Sequence, residues 1–211
     1  RAVLAMRSPL ATPLTAERLF GHICWGLTWH GGPTAVSDFL ARMSGRNPPL
    51  VLGEPVPVHF APMPVPLQDG FIGPDVTGKR QNLWNLYRRC GLMPRAALLR
   101  AADLTPATIR EALDAAGWPR PMLPARRSRV RAVASRLSGA PLDRTDYLAA
   151  EWWPDSDDGQ VELLIAADLD AADIERLLTL GLADGVGRAA SVGYGQVELM
   201  SVEPVNWPQV S

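Results

Sequence analysis

A glycine-rich loop, Gly185-Val-Gly-Arg-Ala-Ala-Ser-Val-Gly-Tyr-Gly195, joins a predicted helix to the predicted last strand of this 211-residue chain. Four glycines and a serine fall within its eleven residues. Glycine allows positive φ angles and lets backbone N–H groups point at an anion with no Cβ in the way. A tight helix-to-strand connection needs only one or two glycines, so the excess predicts a functional loop that wraps a phosphate.

The first letters of this loop also fit the dinucleotide-binding pattern G-x-G-x-x-A. That motif must follow a strand, open a helix and have an acidic residue downstream in a βαβ unit. Here a predicted helix precedes the loop, and only 24 residues follow Gly187. The P-loop pattern GxxxxGK[ST] is absent from the sequence. We therefore predict neither a nucleotide site nor any other cofactor.

The order of the predicted elements indicates the fold class. Periodicity predicts a strand at Arg1–Arg7, then a helix capped by Thr12 or Thr15, with an apolar stripe from Ala16 to Leu27. Later it predicts strands at Tyr147–Trp153 and Gln160–Ala167, a helix from Asp170 to Leu182, and a last strand at Gln196–Val202. Strand, helix, strand, strand, helix, strand is the ferredoxin-like order. We predict an α+β, RRM-like fold whose sheet leaves one face open.

A long insertion separates the two halves of this predicted core. Residues 1–44 form the N-terminal half, 45–145 a proline-rich and then basic insertion or degenerate second subdomain, and 146–211 the C-terminal half with the loop. Proline at high density restricts Val56–Phe60 and Met63–Leu67 to edge strands or extended loops. The insertion also predicts helices within Lys79–Arg100 and at Thr105–Ala116. Gly21 and Gly26 in the first helix predict close approach of another backbone.

The net charge of −1 conceals a strong separation of charge along the chain. Residues 1–78 hold 5 basic and 5 acidic side chains, residues 79–136 hold 13 and 3, and residues 137–211 hold 3 and 14. The middle block, with a net charge of +10 (13 − 3), predicts a polyanion-binding surface. The last block has a net charge of −11 (3 − 14), and three interpretations of it remain open. It contacts a basic neighbouring protein, it keeps RNA away from that face, or it is a solvated acidic face.

Two groups of basic residues are the candidate polyanion contacts within that block. The first contains Arg126, Arg127, Arg129, Arg131 and Arg136, with no acidic residue among them. A solvated basic face normally interleaves acids, so we interpret this run as a phosphate contact. The second group contains Lys79, Arg80, Arg88 and Arg89. Between them, Trp84 and Tyr87 either stack on bases or belong to the core, and both interpretations remain open.

Several classes of protein receive no support from the composition. No apolar run approaches the roughly 18 residues of a membrane span, and Arg1–Leu10 has no signal-peptide core, so we expect a cytosolic protein without membrane contact. Because no initiator Met is present, we expect Arg1 to lie inside, or just past, the true N-terminus. Cys24 and Cys90 predict two semi-buried thiols rather than a disulfide or a metal site. The acidic run from Asp155 to Asp158 is first of all a hairpin turn, so no metal is predicted.

Four stretches together resemble the RAMP superfamily of CRISPR effector subunits. They are Pro13-Leu-Thr-Ala-Glu-Arg-Leu-Phe-Gly-His-Ile-Cys-Trp-Gly-Leu27, the basic segment Arg88–Ala96, the arginine turn Arg131–Arg136 followed by Asp146-Tyr147 and Glu151-Trp-Trp153, and Gly185, Gly187, Ser191, Gly193 and Gly195 on the pattern G-x-G-x-x-x-S-x-G-x-G. The combination is most similar to the subunit that caps the guide RNA in type III complexes of the Csm kind. The chain departs from that family at Ala132, where Asn is usual, and at Tyr194 and Gln196, where basic residues are common. Tyr194 is therefore expected to stack on a base.

The resemblance implies a non-catalytic subunit that binds and caps the 5' handle of the crRNA. It also implies contacts with the backbone RAMP subunits and the large subunit, and an indirect relation to target nucleic acid. The implied RNA contacts are the two basic groups and the loop residues Gly185, Gly187, Arg188, Ser191, Gly193, Tyr194 and Gly195.

Three further functions remain open. The first is a RAMP endoribonuclease that processes precursor crRNA with His22, since His22, His30 and His59 are the only histidines. A hydrogen-bonded core role is nevertheless expected for His22. The second is the capping subunit of a type IV system, and the third is a protein-interaction module that uses the acidic block.

Overall fold

The computed structural model describes residues 1–64, 67, 74–101, 103–121, 125–131, 147–153, 159–188 and 190–205. Its strands are β1 (Ala2–Met6), β2 (Leu50–Leu52), β3 (Val56–Pro57), β4 (Phe60–Pro62), β5 (Leu92–Pro94), β6 (Ala125–Arg131), β7 (Tyr147–Trp153), β8 (Gln160–Leu163), β9 (Ile165–Ala167) and β10 (Val197–Val202). Its helices are α1 (Ala16–Met43), α2 (Gly78–Cys90), α3 (Arg95–Arg100), α4 (Pro106–Ala116) and α5 (Ala171–Leu182), with a 3-10 turn at Ala190–Val192.

The main sheet has the strand order β10-β1-β8-β3, and each neighbouring pair is antiparallel. The helices α1 and α5 follow β1 and the β8–β9 segment, and their apolar side chains share one core with the sheet. Alternate residues of β1, namely Ala2, Leu4 and Met6, belong to that core, as the two-residue period of a strand requires. The predicted α+β class is confirmed, and the ferredoxin-like description is an interpretation of this strand order.

The second strand of the main sheet is not the one the sequence predicted. β3, only two residues long and in the proline-rich segment, pairs with β8. β7, predicted for that position, instead pairs along all seven of its residues with β6. The partner strand β6 is rich in arginine and lacks the alternation of apolar residues that is typical of a strand. The pairing of β6 with β7 is therefore not evident from the sequence. A bridge between Leu10 and Trp152 attaches the β6–β7 pair to the segment after β1.

Helix α1 begins and packs largely as predicted. Thr15 caps it by accepting a hydrogen bond from the Arg18 N–H at 3.3 Å. A Cβ on Gly26 would overlap the Leu180 carbonyl, so this glycine allows α1 and α5 to touch. The same expectation for Gly21 is wrong, because nothing lies within 4 Å of the position of its Cβ. The helix extends beyond the predicted stripe and kinks at Gly32, where φ is 77°.

The buried apolar side chains form two clusters. The first joins β1, α1, β8, α5 and β10. The second lies within residues 56–118 and contains Trp84, Tyr87 and Trp118 among its members. Most of the predicted insertion that the structure describes therefore has a core of its own. The domain limits at 44/45 and 145/146 stay a prediction.

Candidate nucleic-acid interface

The glycine-rich loop connects α5 to β10 through four glycines with positive φ angles. Gly185, Gly187, Gly193 and Gly195 have φ values between 66° and 88°. The Gly185 N–H donates to the Leu182 carbonyl and ends the helix, and the Val186 N–H donates to the Gly195 carbonyl at 2.8 Å. A Cβ on Gly195 would overlap Val186. Glycine is thus required where the two ends of the loop close on each other.

The loop is fixed to the segment that follows β1. The Gly195 N–H donates to the Pro9 carbonyl at 2.9 Å, and the Gln196 N–H donates to Ser8 Oγ at 2.9 Å. The Arg188 N–H donates to Thr12 Oγ1 at 3.4 Å. These bonds set the position of the loop relative to the first strand.

His22 of α1 provides another attachment. Its Nε2 accepts a hydrogen bond from the Gly187 N–H at 2.8 Å. The ring is half-buried, and desolvation by burial lowers the pKa of His22. Both effects favour the neutral imidazole, because Nε2 accepts only when it carries no proton. The predicted role of His22 as a hydrogen-bonded structural residue therefore has a specific partner.

Two expectations about the loop are wrong. Tyr194 is only 6% exposed and its hydroxyl donates to Glu151, so its ring is not available to stack on a base. The amides of Gly187, Arg188 and Gly195 donate to protein acceptors, so they do not wrap a phosphate. The side chains of Arg188 and Ser191 are exposed, as is Gly193. The outward-facing residues of the loop are therefore Arg188, Ser191 and Gly193, and residue 189 lies outside the described residues.

Glu151 of β7 connects the glycine-rich loop with the arginine strand β6. In the β6–β7 register Arg127 is opposite Glu151, and directly opposed residues of antiparallel strands place their side chains on the same face. Glu151 is 2% exposed and accepts from Tyr194. Arg127 and Arg129 therefore share the face of the β6–β7 pair that meets the loop, about 6.6 Å apart along the strand.

Three arginines of this strand lie at the surface of the protein. Arg126, Arg127 and Arg129 are exposed. Within the described residues, Arg126 and Arg129 form no ion pair or hydrogen bond through their side chains. The backbone of Arg131 ends β6 opposite Tyr147, while Arg136 lies outside the described residues.

The second basic group lies on α2, in the other cluster. Lys79, Arg80, Arg88 and Arg89 are all exposed. Arg80 pairs with Asp114 at 2.9 Å and lies over the Trp118 ring, so it already has protein partners. Trp84 and Tyr87 are 2% and 0% exposed, which decides between the two open interpretations in favour of core residues.

Some residues that shape the interface were not identified from the sequence. Ser8, Thr12 and Glu151 hold the loop through hydrogen bonds. Glu151 gave a signal, because it is an acidic residue in the otherwise apolar run Tyr147–Trp153. A carboxylate at such a position requires a buried partner.

The structure also bears on the other candidate sites. Cys24 and Cys90 are unpaired, half-buried thiols, as predicted, and burial raises the pKa of each. Within the part of the chain that is described, no three metal-ligating side chains lie together and no helix is long and apolar enough to cross a bilayer. Asp155, Asp157 and Asp158 lie outside the described residues.

Comparison with known proteins identifies the fold. No family model and no curated protein matches the sequence. Among solved structures, a chain of a Csm1-Csm4 cassette in complex with cA4 aligns with a TM-score of 0.58 and 18% identity, covering 97% of this chain and 71% of that chain. The fold of this chain is therefore similar to that of a chain in the Csm1-Csm4 cassette. A chain of a cassette bound to pppApA gives a TM-score of 0.55 with the same identity and coverage.

These alignments confirm the RAMP resemblance at the level of the fold. They cover nearly the whole chain, so both clusters of the RAMP-like fold are included. At 18% identity the comparison carries no residue roles, so the function of the basic strand and the loop rests on their own chemistry.

Proposed function

We propose that this protein is a non-catalytic, RNA-binding subunit of a class 1, type III-like CRISPR ribonucleoprotein. In this proposal it binds and caps the 5' handle of the crRNA, in the cytoplasm, and connects the backbone RAMP subunits to the large subunit. Its relation to target nucleic acid is indirect. The RAMP-like fold supports membership in an effector complex, and a type IV assembly is the related alternative.

One observation carries the RNA-binding part of the proposal. Arg127 and Arg129 of β6 are exposed and share the face of the β6–β7 pair that meets the glycine-rich loop, and the Tyr194–Glu151 bond joins the loop to β7. Arginine binds phosphate through a planar fork of donors, and a row of them neutralises successive phosphates. The glycine-rich loop acts as a rigid support in this arrangement, with Arg188 and Ser191 as its outward contacts.

The test uses a triple variant of the arginine strand, Arg127→Ala/Arg129→Ala/Arg131→Ala, in the assembled complex. Each lost phosphate contact to single-stranded RNA reduces the slope of log K against log salt by about 0.7. We expect a slope smaller by about 2 and an affinity for guide RNA at least about tenfold lower near 0.15 M salt. The measurement is a binding titration at several salt concentrations.

A matched control removes the same charge elsewhere. Arg42, Arg46 and Arg176 are exposed but lie outside the basic block of residues 79–136, so their triple alanine variant should change guide binding little. Full guide occupancy with an unchanged salt slope in the β6 variant would contradict the RNA role of this strand.

The non-catalytic part of the proposal is supported by the state of His22. Its Nε2 is occupied by the Gly187 amide, so that atom is not free to accept a proton from RNA. Incubation of the purified protein with repeat RNA should give no site-specific product. Cleavage that is lost in His22→Ala would instead establish the endoribonuclease function.

A further inference from the structure

Two tryptophans are exposed on α1 beside the glycine-rich loop. Trp25 and Trp29, one helical turn apart, are 67% and 74% exposed. Their neighbours Ile23 and Leu27 are buried in the first cluster, so the indoles lie away from the core. Single exposed apolar residues are ordinary, but large aromatic side chains grouped at one place mark an interaction site.

The two indoles border a cleft of about 260 Å³ between α1 and α5. Gly26 and Gly181 form its base, where the helices touch so closely that a Cβ on either would overlap the other helix. His22, Leu180 and Asp184 line its sides, with Gly185 and Ala190 from the loop. The cleft is therefore built from fixed elements of the fold.

The charges of the cleft select the kind of ligand. Asp184 is exposed and, within the described residues, its carboxylate has no ion-pair or hydrogen-bond partner. Among the described residues that line the cleft, His22 is the other titratable one; it accepts a hydrogen bond from Gly187, and burial lowers its pKa, so it adds no positive charge near neutral pH. The lining thus combines aromatic faces with one negative charge.

We propose that this cleft binds an arginine side chain presented by a protein partner. A guanidinium stacks on tryptophan faces and donates a fork of hydrogen bonds to a carboxylate. The surface of α5 and its two ends fits such a basic partner, since residues 170–184 hold four acidic side chains and one basic one. A phosphate would instead meet the Asp184 carboxylate, and the described lining residues provide no cation to offset that repulsion. The proposal concerns a protein surface and does not depend on RNA binding at β6.

The experiment observes the two indole N–H signals by nuclear magnetic resonance of the full chain. Trp25→Phe and Trp29→Phe assign the signals. The probe is a glycine-rich hexapeptide with two arginines, and its control is the same peptide with citrulline, which has the shape of arginine without the charge. We expect both signals to shift with the arginine peptide and binding to be about fivefold weaker with citrulline.

Two exposed acidic residues provide matched variants. Asp184→Asn should weaken peptide binding about threefold, as expected for one exposed ion pair. Glu175→Gln removes the same charge from α5 outside the cleft lining and should leave binding unchanged.

Specific outcomes would overturn the proposal. Equal binding of the citrulline peptide, or no effect of Asp184→Asn, would show that the cleft does not recognise a cation. If an eight-nucleotide oligoadenylate shifts both indole signals and the arginine peptide does not, the cleft binds nucleobases instead. The β6 arginine variant should leave the peptide shifts intact, so failure here and failure of the RNA-binding proposal are separate results.

Discussion

Tyr194 donates its hydroxyl hydrogen to the Glu151 carboxylate, and this bond ties the glycine-rich loop to β7. The two residues are 43 positions apart, and they are 6% and 2% exposed. Because β7 pairs with β6 over its full length, the buried Glu151 carboxylate holds the loop next to the arginine strand.

Replacing Tyr194 by Phe should destabilise the protein by about 1.5–3 kcal/mol, the range for hydrogen bonds to charged groups. Urea unfolding measures the change. Tyr87→Phe is the matched control, since its hydroxyl donates to the neutral Pro119 carbonyl and its loss should cost about 0.5–1.5 kcal/mol. If Tyr194→Phe lowers the free energy of unfolding no more than Tyr87→Phe does, the Glu151 carboxylate gives no stability beyond that of a neutral acceptor.

Two glycines of the loop should respond differently to alanine. Gly195 has φ 66° and a Cβ there would overlap Val186, whereas Gly193 has φ 88° with nothing within 4 Å. Gly193→Ala should cost only the about 1–2 kcal/mol of the left-handed backbone. Gly195→Ala should cost clearly more, because the loop must open as well. Thermal unfolding of both variants checks this order, and equal losses would mean that the loop closure adds nothing.

The local parts of this fold were predictable from the sequence. Thr15 and Asp170 cap their helices as predicted, and β7 spans the predicted Tyr147–Trp153. These features depend on periodicity and on caps within a few residues, so a short window of sequence contains the needed information.

The features that failed depend on contacts distant in sequence. β6 is a strand because it pairs with β7, and its arginines give no strand periodicity. Glycine content indicated a special backbone at the loop but not where its amides point, since the acceptors are His22, Thr12 and Pro9 from the other end of the chain. Tyr194 was assigned to RNA because its buried partner Glu151 is remote in sequence.

The stability of the protein should depend on the protonation of His22. Burial holds the pKa of His22 below its ordinary value, so the unfolded chain binds the proton more readily. The contribution of neutral His22 to the free energy of unfolding should therefore be fully present above about pH 6.5 and decrease as the pH falls below that value. His22→Gln keeps an acceptor for the Gly187 amide without titrating, and its stability should change less between pH 7 and pH 5.5. Parallel losses in both proteins would assign the pH dependence to other groups.

Glu162 joins the two clusters through buried charges. It lies on β8 with 0% exposure and pairs with Arg95 at the start of α3 and with Arg1 at 3.8 Å. Removing Arg95 leaves the buried Glu162 charge with only the more distant Arg1 opposite it among the described ion pairs, so Arg95→Met should cost about 3 kcal/mol, the lower end of the range for breaking a buried pair. Adding Glu162→Gln to that variant should recover part of the loss, because it removes the buried charge.

The matched control for this pair is Arg7, whose bond to Glu198 at 2.7 Å joins side chains 50% and 56% exposed. Water screens such a pair, so Arg7→Met should cost less than about 1 kcal/mol. Urea unfolding of the four variants, Arg95→Met, Glu162→Gln, the double variant and Arg7→Met, gives the coupling energy directly. A coupling near zero, with Arg95→Met no costlier than Arg7→Met, would show that packing of the two clusters does not depend on Glu162.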